Sequence, residues 1–127
     1  MFRIPLDQYL KDLASFNWVF PHHRVSQGNS DAVLVKGDPA LFFGGNFTNK
    51  NAAFVYVKLH NTSVSPVAGS TPVTKTIGIP PGQTLPMNPP EPILFYNGLA
   101  YTIVTGLVDS DATSVVAGDV VFDLEYR

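Results

Sequence analysis

From Phe54 to His60 the chain alternates with a period of two. Val55, Val57 and Leu59 fall on one side and Phe54, Tyr56, Lys58 and His60 on the other, which is the mark of a strand. Similar short stretches rich in β-branched and aromatic residues run from Ala32 to Lys36, Leu41 to Thr48, Val73 to Ile79, Ile93 to Tyr96, Leu99 to Leu107 and Asp119 to Tyr126. Turn chemistry separates them: Gly37-Asp38-Pro39, Asn49-Lys50-Asn51 and Pro80-Pro81-Gly82. Gly44-Gly45 inside the Leu41–Thr48 stretch predicts a bulge or a close backbone approach. Pro86 to Pro92 cannot lie in a central strand, because proline gives no ladder hydrogen bond.

Only one segment has the helical period. Leu6, Tyr9, Leu10, Leu13 and Phe16 share a face of a short helix starting at Pro5, about three turns long, which is marginal unless it docks on something. An aromatic knot of Phe16, Trp18, Val19 and Phe20 follows, Pro21 is expected to end any regular element, and His22 to Asp31 reads as an exposed connection. The pattern as a whole predicts an all-β fold: an antiparallel, jelly-roll-like β-sandwich of about seven or eight strands. Residues 1–30 are expected to form an N-terminal helix and arm, and residues 31–127 the sandwich domain.

Composition narrows the function classes. The chain has 127 residues, 45% hydrophobic, enough for one domain with a substantial core. Its charged fraction is 14%, against about 25% in ordinary soluble domains, which suits a surface partly covered by partners. Net charge is −2 with no basic run, so no nucleic-acid partner is expected. The absence of cysteine excludes disulfides, thiolate metal sites and thiol chemistry. The apolar runs are far shorter than the ~20 residues of a membrane span, and no membrane partner is expected. The first ten residues lack the basic-then-apolar pattern of a signal peptide, which leads to an expectation of synthesis in the cytoplasm.

Candidate chemistry is sparse. His22, His23 and His60 lack partners at ligand spacing, and the adjacent pair reads as solvated or interfacial. Asp109, Asp111 and Asp119 offer hard oxygen ligands for a cation, but without the glycine and terminal glutamate of an EF-hand they read first as turn residues. Asn46 and Asn61 match glycosylation acceptors, read as chance. Tyr56, Phe95, Tyr96, Tyr101 and Tyr126 could serve stacking on a carbohydrate, though strand aromatics more often fill cores and interfaces. No catalytic motif is present, so no enzyme activity, cofactor or metal is expected.

Several stretches, in order, resemble a class of small virion proteins of tailed bacteriophages. They are Lys58-Leu59-His60-Asn61, Pro66-Val67-Ala68-Gly69-Ser70-Thr71-Pro72, Ile79-Pro80-Pro81-Gly82, Gly98-Leu99-Ala100-Tyr101-Thr102-Ile103, Asp109-Ser110-Asp111 and the final strand Val120 to Arg127. The resemblance covers about Ala32 to Arg127. Residues 1–30 are not part of it, and Pro86-Met87-Asn88-Pro89-Pro90 is richer in proline than the usual pattern. It implies a structural role in the virion, plausibly as a decoration or cement protein on the capsid surface. That role would make the major capsid protein a partner and the chain a homo-oligomer, expected to be a trimer. A receptor- or carbohydrate-binding module of a tail or fibre is the other expectation. Phe2, Ile4, Leu6, Leu10, Leu13, Phe16, Trp18 and Phe20 are the candidate interface residues, an anchoring arm on the reading above or a cap on the chain's own sandwich.

Overall fold

The computed structural model describes residues 19–127. The expected helix, and the candidate interface residues Phe2 to Trp18, lie outside the described residues. Nine strands follow: β1 (Phe20–Val25), β2 (Val33–Lys36), β3 (Ala40–Asn49), β4 (Val55–Asn61), β5 (Lys75–Ile79), β6 (Thr84–Met87), β7 (Ile93–Phe95), β8 (Leu99–Val104) and β9 (Val120–Tyr126). They form two antiparallel sheets. The first has the order β1-β9-β3-β6, with β7 also paired to β3, and the second has the order β2-β8-β4-β5. The chain crosses repeatedly between the layers, and this interleaving is a jelly roll.

The layers are held together by the inward side chains of both. Phe42, Phe47, Phe122 and Leu124 from the first sheet meet Val57, Leu59, Ile77, Tyr101 and Ile103 from the second, all buried. Each such side chain contributes roughly 1.5–3 kcal/mol of transfer free energy. The Phe122 ring lies 5.1 Å from Phe47 and 5.0 Å, edge-on, from Tyr101, so it bridges the two layers.

Strand β3 organises the first sheet. One side pairs with β9, and the other is shared end to end by β7, opposite Ala40–Phe42, and β6, opposite Gly45–Thr48. The register shifts between Phe42 and Gly44, as the glycine pair predicts. Gly44 and Gly45 have φ of 100° and 150°. A Cβ would stand 1.9 Å from the Met87 carbonyl oxygen at Gly44, and 1.9 Å from that of Asp123 at Gly45. The neighbouring backbones therefore pinch the bulge from both sides, and only glycine fits.

The structure departs from the sequence expectation in three places. Phe20–Val25, placed in the arm and connection, is strand β1, paired residue for residue with β9 from Phe20↔Tyr126 to Val25↔Val121. Pro21 does not end it, because among the described residues β1 is an edge strand with one side of its backbone unpaired. Pro86 lies within β6, an edge strand, in keeping with its exclusion from central strands. Val73 and Thr74 precede β5, and Thr105 to Leu107 have left β8 to enter a loop.

Gly45→Ala is expected to lower stability by about 3 kcal/mol or more, because the clash is with backbone that cannot yield. Gly82→Ala, at a positive φ but with nothing within 4 Å of the added carbon, is expected to cost only ~1 kcal/mol. Urea denaturation of the two variants checks the difference.

Candidate interaction surface

The outward face of the second sheet carries Tyr56, Lys58 and His60 on β4 beside Val104, Thr102 and Ala100 on β8. The alternation of β4 suggests a solvent-facing row, yet Lys58 is 1% exposed and His60 and Thr102 are fully buried. Two loops cover them, residues 62–74 between β4 and β5 and residues 105–119 between β8 and β9.

Polar pins hold these loops down. The Lys58 ammonium donates to the Val108 carbonyl. His60 Nδ1 lies 3.0 Å from the Pro72 carbonyl, which can only accept, so that nitrogen carries the hydrogen. Nε2 of the neutral ring then accepts from the Thr102 hydroxyl at 2.9 Å. Burial holds the imidazole below its usual pKa and nearby Lys58 adds to this, while hydrogen bonds to the Pro72 and Thr71 backbone oppose it.

Within the first loop, Val67 donates to Thr71 Oγ1 at 2.8 Å, and the Ser70 and Thr71 amides donate to the Val67 carbonyl. The loops meet at Gly69, where a Cβ would lie 2.7 Å from the Ser110 carbonyl oxygen and 3.4 Å from the Ala112 methyl. In the second loop Asp111 accepts from the Gly106 amide at 2.9 Å and from the Thr113 amide and hydroxyl at 3.2 and 3.0 Å. Burial alone would raise the pKa of Asp111, but hydrogen bonds from Thr113 and Gly106, aided by Lys58, outweigh it and lower the pKa. Asp111 is thus committed to its own turn. Asp119 accepts from Asn51 on the far side of the same connection. Among the described residues no three His, Cys, Asp or Glu side chains converge as a metal site would require.

The outcome is a third layer over one sheet, a cap of two loops fixed from beneath by Lys58 and His60, with Asp111 holding the turn of the second loop. Its surface carries Val64, Val67, Leu107 and Val108, each between 59% and 65% exposed. The connection from Asn61 to Pro72 lies back across the sheet. Its length was legible in sequence. The burial of Lys58 was not, since a lysine in an alternating strand carries no local sign of what will cover it.

A second polar cluster joins β1 to β8 and to the β1–β2 connection. His22 Nε2 lies 2.7 Å from the Tyr101 hydroxyl. Arg24 clasps Asp31, with its Nε 3.0 Å from Oδ1, which also accepts from the Gln27 amide at 2.9 Å. Burial raises the pKa of the Tyr101 hydroxyl. Burial, then the charge of Arg24 and His23, lowers that of His22. His22, His23 and His60 do not come together: His23 points outward to Asp123 at 2.8 Å, and His60 lies under the loop cap.

The aromatic candidates separate. Phe95 and Tyr101 are core residues and Tyr96 is 71% exposed. Tyr126 packs on Phe20 with ring centres 5.9 Å apart. Phe20 is the one candidate arm residue among the described residues, and it is 53% exposed at the start of β1. Tyr56 stacks with half-exposed Phe54, centres 6.1 Å apart and planes 18° apart, and lies over Gly78.

Thr102→Val, which keeps the shape but leaves His60 Nε2 without its donor, is expected to cost about 1–3 kcal/mol by urea denaturation. A value near zero would mean that the His60 pin does not hold the cap.

Comparison of the chain with protein-family models, curated proteins and solved structures finds no match.

Proposed function

We propose that this chain is a structural protein of a tailed-phage virion, a capsid decoration or cement protein acting through contacts between subunits and not through catalysis. The single observation carrying this reading is the loop cap: apolar side chains exposed on loops that are themselves rigidly pinned. Surface loops are ordinarily polar and mobile. A cap with Val64, Val67, Leu107 and Val108 outward and buried polar pins beneath already has its ordering entropy spent, which favours binding. Three of the six stretches that carry the phage resemblance also converge there. Lys58, the Pro66–Pro72 segment and Asp109-Ser110-Asp111 all belong to the pinned layer.

On this reading the partners are the major capsid protein and further copies of the chain, as a trimer, on the capsid surface. Contacts made only with the assembled shell stabilise it by mass action, because they are lost when the shell dissociates. The N-terminal residues Phe2 to Trp18 would serve as an additional anchor.

A second reading, a carbohydrate-binding module of a tail or fibre, is favoured by the stacked Phe54–Tyr56 pair, an exposed aromatic surface against which a sugar ring could lie.

Fractionating particles into heads and tails separates the two readings. Many copies on heads are expected, and finding the chain only in tails would overturn the decoration reading. Val67→Asp combined with Leu107→Asp is expected to weaken binding to undecorated capsids at least about tenfold with little change in thermal stability. Phe54→Ala is expected to leave capsid binding unchanged. If the two effects are reversed, the aromatic pair is the working surface.

A further inference from the structure

We propose that β1 is an acid-releasable strand, latched to the sandwich by His22 and freed when that imidazole takes up a proton. The inference rests on the geometry of the β1 edge and does not depend on the virion reading.

Strand β1 is lightly held. Among the described residues its six residues pair with β9 alone, and none of its side chains is fully buried, whereas Val120, Phe122 and Leu124 of β9 all are. Phe20, His22 and Arg24 share the inward face of β1, and the two that are half-buried, His22 and Arg24, are not apolar. Phe20 reaches Tyr126 but remains 53% exposed. An edge strand with so little apolar burial belongs to the weakest cooperative unit of a fold. Its attachment therefore depends on polar contacts, and those contacts include a group that changes charge near neutral pH.

Burial, then the charges of Arg24 and His23, disfavours a positive charge on His22. From β8, Tyr101 presents a neutral hydroxyl held in the core at 2.7 Å. On β1 itself Arg24 is cationic, and its field and that of His23 disfavour the imidazolium, as burial does. From the β1–β2 connection, Asp31 supplies the nearby carboxylate. Its Oδ1 is engaged with Arg24 and the Gln27 amide, and its buried Oδ2 makes no hydrogen bond to His22 or any other described group. The neighbours from β9, Leu124 and Phe122, are apolar. On the outer face a protonated His23 would draw closer to Asp123, but both side chains are 59% exposed and the pair is worth little.

The sign follows from linkage. Above the free histidine value of 6.5 the His22 ring is neutral both docked and detached, and β1 is held at full strength. Below it the detached strand binds a proton that the docked strand resists. Docking weakens as pH falls, until the docked ring itself titrates. His60 is also held below its usual value, but it sits under the loop cap on the other sheet, so its effect is read at different residues.

Amide hydrogen exchange followed by mass spectrometry, corrected for intrinsic exchange rates, tests this at about pH 7.5 and about pH 5. Protection of Phe20–Val25 is expected to fall at least about tenfold at the lower pH while β4 and β8 keep theirs. In His22→Gln, which is neutral at both values, the selective loss should vanish. Uniform loss across both sheets, unchanged protection in β1, or the same selective loss in His22→Gln would each overturn the proposal. Should His22→Gln fail to fold, the ring titration of His22 in the native protein decides by NMR. A midpoint below the free value supports the latch, and one at or above it overturns the latch.

Discussion

A buried ammonium must have acceptors, and satisfying that of Lys58 shapes one whole side of this molecule. The side chain projects from the centre of the second sheet and reaches the backbone carbonyl of Val108, fifty residues on in sequence. Supplying that carbonyl requires residues 105–111 to lie flat on the sheet, and Asp111 holds the turn that lets them do so. His60 makes the matching demand on the preceding loop through Pro72. Unmade, each contact would leave a desolvated polar group at a cost of one to several kcal/mol by general experience. The two loops are therefore as fixed as the strands they join, although neither is regular structure.

The two outward faces of the sandwich differ as a result. On the first sheet the outward row is wet, with His23 against Asp123 and Thr48 against Thr84 across adjacent strands. On the second the corresponding row is dry beneath the cap, and the surface presented to solvent is that of Val67, Leu107 and Val108. The second sheet thus meets solvent through fixed loops, whereas the outward row of the first meets it directly.

Much of the fold was legible because its signals are local. The alternation at Val55-Tyr56-Val57, the Gly44-Gly45 pair and the proline-bounded turns each report a nearest-neighbour constraint. What could not be read depends on partners distant in sequence. Strand β1 was hidden because Pro21, His22, His23 and Arg24 are a poor strand sequence by propensity, and only β9, about a hundred residues later, makes them one. The burial of Lys58 and His60 is hidden for the same reason, since their cover comes from other loops. The Asp109-Ser110-Asp111 loop was correctly weighed as turn chemistry, with Asp111 serving backbone amides, while the lysine beneath it had no sequence signature at all.

The position of β9 has a consequence for how this protein comes into being. That strand lies between β1 and β3 and supplies the inner pairing edge to both, so the first sheet has no continuous middle until Val120–Tyr126 have been synthesised. During translation the earlier strands emerge with their long-range partner still missing, and contacts of such high sequence separation form slowly. A nascent chain would hold Phe42, Phe47 and Ile77 in unfinished layers until the last strand leaves the ribosome, and that interval is when it most needs a chaperone.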